Sequence, residues 1–317
     1  MLQYLVIQLD DTSTSYCHYG NPKGEKCLIP LETLQRGILF GMKENLSIQM
    51  VYPSYAIPEE YSRIVDSIDC VKIKPAKENV GANVIVFNDL DAVDASAHKE
   101  SVCYILRIDK ETLFNEYDKT LSLLERAERL NVVLTDSCSF NKDDFARYEN
   151  VLRHFGEKVR ELYSQGKTPQ CNILTDRIML SEMNNCGAGE TSITLAPDGR
   201  FYPCPAFYLC DCCYALGDIE NGLSIRNPQL YRLDHAPVCR NCDAYQCHRC
   251  IWLNRKTTLE VNTPSHEQCV IAHIERNASR MLQRDLAKST NVFSSYEDIK
   301  EINYLDPFEI RKEWKEK

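Results

Sequence analysis

Cysteines recur through residues 186–269 at intervals that let several sulfurs meet. Twelve residues separate Cys186 from Gly199 and four more lead to Cys204; Cys239-x2-Cys242-x4-Cys247-x2-Cys250 follows, and Cys269 stands apart. Two thiolates separated by two residues share one turn of backbone, so that turn aims both at the same centre. Structural zinc sites and iron–sulfur sites both need that geometry. Cys186, Cys204, Cys239, Cys242, Cys247, Cys250 and Cys269 are therefore read as metal-ligating. A further trio, Cys210, Cys212 and Cys213, is read as spare thiols, as additional ligands or as a redox pair. No residue is assigned a catalytic role.

Sixteen cysteines in 317 residues is heavy usage, and a disulfide framework is the competing explanation. Residues 1–10 have no basic leading region and only a short apolar run, which reads as a buried strand rather than a signal peptide. No stretch approaches the roughly eighteen apolar residues of a membrane span. The expected compartment is the cytoplasm, where thiols stay reduced and clustered cysteines mean metal. A net charge of −9 argues against nucleic acid, because neutralising phosphates takes an excess of lysine and arginine. Neither nucleic acid nor membrane is expected as a partner.

The elements that must position these cysteines alternate through the first 185 residues. Short apolar runs predict strands over 4–9, 47–52, 70–73, 83–87, 103–108, 131–135 and 171–173. Helical patterns lie between them at 31–44, 59–67, 110–129 and 142–165, which is the signature of βα units and a mainly parallel sheet. Residues 192–196 and 201–204 read as a hairpin around Pro197-Asp198-Gly199-Arg200, which brings Cys186 near Cys204. A helix is expected to start at His266, so that a ligand at Cys269 anchors it. Cys70 and Cys103, inside strand patterns, are expected in the core. Cys17 and Cys138 fall at strand ends on the edge where α/β ligand sites collect. The polar stretch 289–317 is read as a charged C-terminal tail, a peripheral helix with a frayed end.

A βα series followed by this cysteine cadence resembles the radical SAM enzymes that carry a C-terminal SPASM domain. The resemblance implies an α/β fold: a partial (β/α)6 barrel-like domain over 1–185, a small cysteine-rich SPASM iron–sulfur domain with a closing helix over 186–288, and the tail. In that family a Cys-x3-Cys-x2-Cys loop after the first strand holds the [4Fe–4S] cluster that binds S-adenosylmethionine. The equivalent loop here places Asp10, Thr14 and Cys17 at the three ligand positions. A carboxylate, a hydroxyl and one thiolate do not retain a low-potential cubane, and the segment after the second strand has no glycine. The resemblance is thus to a degenerate barrel without the radical-generating cluster, closest to the CXXX repeat peptide maturases.

Carried over residue by residue, the family pattern implies two auxiliary [4Fe–4S] clusters, with zinc as the alternative. Cys186, Cys204 and Cys250 would hold the first, and Cys239, Cys242, Cys247 and Cys269 the second. The first lacks a fourth ligand, since Ser181, Glu182 and Met183 stand where fuller relatives carry another cysteine. Arg240, Arg249 and Arg255 are expected to offset thiolate charge, and His248 to be solvated. The resemblance implies a role in ribosomal peptide maturation: binding a precursor peptide, relaying electrons, or both, beside a radical SAM enzyme as partner. The alternatives are an autonomous peptide-modifying enzyme with an open-coordination cluster and a zinc-stapled binding scaffold.

Overall fold

An apolar run without polar alternation forms a strand buried on both faces, and β1 (Tyr4–Gln8) is one, with Leu5, Val6 and Ile7 all buried. The computed structural model describes residues 1–94, 102–210, 214–288 and 292–308. β2 (Ser47–Val51), β3 (Val71–Pro75), β4 (Val84–Phe87), β5 (Cys103–Ile108), β6 (Arg129–Leu134) and β7 (Gln170–Cys171) add in sequence order, each parallel to the last. All seven expected strands are present, with ends shifted by no more than two residues. The architecture is the expected α/β partial barrel.

The sheet does not stop where the cysteine-rich region begins. β8 (Ser192–Leu195) pairs parallel with the other side of β1, and β9 (Phe201–Tyr202) returns antiparallel to β8. Gly199 makes the turn between them at a φ of 77°, a left-handed conformation that glycine adopts without penalty. The order across the sheet is β7-β6-β5-β4-β3-β2-β1-β8-β9.

Helices cover one face. α1 (Leu31–Lys43) and α2 (Glu59–Val65) pack over the β1–β2 half, where Leu34, Ile38 and Val65 join Leu5, Ile7, Ile48 and Met50. After α3 (Asp91–Asp94), the expected helix 110–129 is two: α4 (Lys110–Asn115) and α5 (Tyr117–Arg126). The break is at Glu116, where φ is −129° and ψ 28°, directly after Asn115, a residue type that favours helix ends. α6 (Lys142–Ser164) starts from a capping box between Asn141 and Asp144, and buries Val151, Phe155, Val159 and Leu162 as its spacing predicts. The opposite, inner face of the sheet carries Val6, Val51, Ile73, Val86 and Ile105.

Short α7 (Asp176–Met179) leads into the cysteine-rich region, which adds α8 (Pro205–Cys210), α9 (Ile251–Thr258) and α10 (His266–Leu286). α10 lies along α6, and Val270, Ile271, Ile274, Leu282 and Leu286 share a core with α6. Residues 292–308 are irregular rather than the expected peripheral helix. They are pinned to α10, with Gln283 Nε2 donating to the Glu297 carbonyl at 2.9 Å and the Ile299 amide donating back to Gln283 Oε1 at 3.0 Å. No helix among the described residues is long and apolar enough to cross a membrane.

Candidate metal centre

A cavity of about 620 Å³ lies between the inner face of the sheet and the cysteine-rich region. Val6 and Ile105 line it from the strands, and Cys186, Cys204 and Cys250 line it from the other side. Backbone pairing explains why those three distant residues meet. The Asn184 amide donates to the Tyr245 carbonyl at 2.8 Å and the Cys186 amide to the His248 carbonyl at 3.1 Å, which zips Cys186 alongside the 247–250 turn. Gly187 then turns the chain at a φ of 68° into β8, and the hairpin ends at Cys204, just past β9. Cys250 stands at the start of α9. Cys186 is solvent-accessible, yet it faces the cavity and the surrounding protein still pushes its thiol pKa up. Burial also raises the Cys204 and Cys250 thiols, and the charge of neighbouring cysteines adds to the shift.

Cys239, Cys242, Cys247 and Cys269 form a second group, of which Cys247 also lines the cavity. Burial raises each thiol, pushing Cys239 up to about 11, and the charges of the others raise Cys239, Cys247 and Cys269 further. The Cys242 sulfur receives the Ala244 amide at 3.4 Å and lies 3.3 Å from His273 Nε2, one helical turn beyond Cys269. A buried ion network braces this loop. Arg276, with no exposed side-chain surface, grips Asp243 through Nε at 3.1 Å and 3.2 Å and through a terminal nitrogen at 2.5 Å; Arg177 approaches the same carboxylate at 3.5 Å. Burial pushes the Asp243 carboxyl up, but the Arg276 hydrogen bonds and the two guanidinium charges outweigh it and hold it below its ordinary range.

The loop after β1 is occupied differently. Asp10 is fully buried: its Oδ1 accepts from the Thr12 amide at 2.7 Å and from the Thr12 hydroxyl, and its Oδ2 accepts from the Tyr55 hydroxyl at 2.8 Å. Thr14 is buried and its amide donates to the Tyr52 carbonyl. Cys17 turns to the cavity with Tyr16 and His18. Asp10 and Thr14 are thus tied to neighbouring chain, and only the third position of the loop faces open space.

Several expectations need correction. Of Arg240, Arg249 and Arg255, only Arg249 is buried beside the thiols, where its charge acts on Cys186 and Cys239. Arg240 is exposed and Arg255 stacks on the Tyr214 ring at 3.9 Å. The positive charge near Cys242 comes instead from Arg177 and Arg276. His248 is not solvated but half-buried on the cavity wall, where burial first and then His18 lower its pKa. Cys70 and Cys103 are half-buried rather than core. Cys210 is exposed, 3.8 Å from the Gly20 carbonyl, and lines a separate shallow pocket with Trp252 and Arg255. Cys212 and Cys213 lie outside the described residues.

Sequence reasoning also passed over Tyr16, His18, Trp252 and Glu275, which line the cavity. Glu275 had a signal, being a carboxylate on the apolar stripe of α10 between Ile271, Ile274 and Leu282. Burial pushes its pKa up to about 7, although Tyr148 donates to it at 2.7 Å and Gln246 at 3.4 Å.

The donor chemistry fits iron–sulfur ligation. Buried, mutually repelling thiols become thiolates when a cation takes their protons' place, and Arg249, Arg177 and Arg276 stand ready to offset the residual negative charge. Among the described residues no three Cys, His, Asp or Glu side chains converge as tightly as one bound ion requires.

No protein-family model and no curated protein matches the chain. Among solved structures, anSMEcpe with bound AdoMet and Cp18Cys peptide matches with a TM-score of 0.61 and 11% identity, over 91% of this chain and 99% of that one. A histidine-tagged form of anSMEcpe with bound AdoMet matches at 0.63 and 12%, over 92% and 97%. Streptococcus suis SuiB bound to precursor peptide SuiA scores 0.49 at 13% identity, over 84% and 76%. The anSMEcpe likeness runs the length of both chains and shows a shared fold.

Proposed function

We propose that the chain is an iron–sulfur-binding component of a peptide-modification system, built on a radical SAM-like barrel that does not itself generate a radical from S-adenosylmethionine. The carrying observation is that Cys186, Cys204 and Cys250, from three separated segments of chain, line one cavity. Cys186, Cys204 and Cys250 would hold one [4Fe–4S] cluster; Cys239, Cys242, Cys247 and Cys269 would hold the other. Bound clusters supply one-electron carriers and cross-links between chain segments.

Zinc and a cubane ask for different sulfur separations. A lone zinc draws four sulfurs to about 2.3 Å from itself and so to within roughly 4 Å of one another. Ligands of a cubane each bind a different iron and stand further apart.

The loop after β1 supports the second half of the reading. A carboxylate whose oxygens already accept from Thr12 and Tyr55 has to give up those bonds before it ligates iron, and that exchange exposes buried acceptors and donors. The cavity is within the roughly 300–1,000 Å³ range of ligand sites. Because anSMEcpe shares the fold and binds a peptide, a peptide segment is the proposed occupant, presented to a radical SAM partner enzyme. Tyr16, His18 and His248 would meet it with polar groups, and Val6 and Ile105 with an apolar floor.

Anaerobic reconstitution of the full chain with iron and sulfide tests the proposal. The expected result is two [4Fe–4S] clusters per chain by iron and sulfide analysis and Mössbauer spectroscopy, with no reductive cleavage of S-adenosylmethionine. Stoichiometric zinc without iron would establish the scaffold alternative instead. Three cubanes with cleavage would show that Asp10 and Thr14 had been misjudged.

A further inference from the structure

The loop after β1 keeps one thiol, Cys17, and holds its backbone with unusual care. From β5, Arg107 donates through Nε to the Cys17 carbonyl at 2.9 Å and through a terminal nitrogen to the Tyr19 carbonyl at 2.6 Å. His18 Nδ1 lies 2.9 Å from the Leu134 carbonyl at the end of β6. Tyr19 packs edge-on against Trp252 of α9, two residues after the Cys250 ligand position. The loop is therefore clamped between the strand ends and the cysteine-rich region, with Cys17 on the cavity wall that carries Cys186, Cys204 and Cys250.

Cys17, Cys186, Cys204 and Cys250 line one cavity, and Cys17, Cys204 and Cys250 pack against the same apolar cluster. Thiolate is the ligand that a cubane iron takes, and the first group has three. Cys210, the described member of the other trio, opens on a different pocket.

We propose that Cys17 is the fourth ligand of the Cys186–Cys204–Cys250 site, so that one four-thiolate cluster ties the loop after β1 to the cysteine-rich region. This inference rests on the iron–sulfur reading above. It gives the surviving cysteine of the degenerate loop a structural role in another cluster. It also leaves no iron in that site open to substrate, which removes the basis for an autonomous enzyme built on an open coordination position.

The test uses the full chain reconstituted anaerobically, as wild type and as Cys17→Ala. With four thiolates at each site, mild ferricyanide treatment leaves the wild-type iron content unchanged. In Cys17→Ala the first cluster has one iron without a thiolate. One-electron oxidation then releases that iron as a ferrous ion and leaves a [3Fe–4S] cluster, seen as a new EPR signal and a loss of about one iron per chain. A variant that keeps the wild-type iron content and spectrum after oxidation overturns the inference while leaving the two-cluster reading intact. A wild type that binds no iron overturns both. Alkylation of the wild type provides a second measurement that does not depend on the variant's folding. Cys17 should react roughly tenfold more slowly with clusters in place than after chelation, against Cys138 as the half-buried reference outside the cavity. Equal Cys17 rates in the two states also overturn the inference.

Discussion

Cys239, Cys242, Cys247 and Cys269 come from one loop and one helix, with Arg177 and Arg276 bracing the loop at Asp243 and only Cys247 of the four reaching the cavity, whereas Cys186, Cys204 and Cys250 come from three separated segments and all face that cavity. The first arrangement suits a staple and the second a junction. A staple needs short, local chain, because its work is to fix α10 against the loop. A junction gathers the hairpin, the start of α9 and, on the inference above, the loop after β1 around an accessible space. On the proposed reading the same residue type does two jobs, distinguished by what surrounds it.

Emptying the staple should have the largest effect. Replacing Cys239 and Cys242 together by alanine is expected to remove one cluster's iron and to lower stability by on the order of 5 kcal/mol, since ligation of a site unformed in the unfolded chain is folding free energy. Hydrogen exchange along α10 should accelerate at the same time. Replacing Cys186 and Cys204 should also remove one cluster but leave α10 protected, because α6 packing is untouched. Retention of full iron after the first change, or equal loosening of α10 by both, would erase the distinction.

The ion network is next. Arg276→Ala leaves Asp243 half-buried with Arg177 as its remaining arginine partner among the described residues, and denaturant unfolding should show a loss of roughly 3 kcal/mol. Arg276→Lys should recover little, because one ammonium cannot reproduce the three contacts of the guanidinium fork. Full recovery by lysine would mean that charge alone braces the loop.

Much of this comparison was legible in the sequence. The period of apolar runs located all seven strands, and the cysteine cadence marked out Cys186, Cys204 and Cys250, which the fold brings to one cavity. Local chemistry explains the strands, because strand burial is a short-range property. What the sequence did not show depends on chain segments far apart. The pairing of residues 184–186 with 245–248 decides that His248 lines a cavity, and no local pattern encodes it. Arg276 replaces the expected Arg240 and Arg255 for the same reason: its partner Asp243 is thirty-three positions away. The continuity of the sheet through β8 was hidden because a hairpin signal says nothing about which edge its first strand joins.

Glu275 joins the two regions, lining the cavity from α10 while bonded to Tyr148 of α6, and its titration sharpens the contrast. The unfolded chain ionises this group near its ordinary value of 4.5, and the folded chain near 7. Between those pH values folding takes up a proton, so the residue's contribution is complete below about 4.5 and is lost as pH rises through 7. Across pH 5.5 to 7 the wild type should lose roughly 2 kcal/mol that Glu275→Gln does not. Parallel stability curves for the two proteins would show that the carboxyl is already ionised in the fold.

Tyr55→Phe has the smallest expected effect and discriminates between the loop and the thiol sites. The Tyr55 hydroxyl donates to Asp10 Oδ2, so its removal should cost about 1 kcal/mol through one partly exposed bond. If Asp10 serves only to shape the turn after β1, iron content and cluster spectra stay at wild-type values. If Asp10 contributes to a cluster, freeing one of its oxygens changes the ligand field at an iron, and the Mössbauer or EPR spectrum shifts. Small destabilisation with unchanged spectra therefore assigns Asp10 to the architecture of the loop and leaves Cys17 as the loop's contribution to the junction.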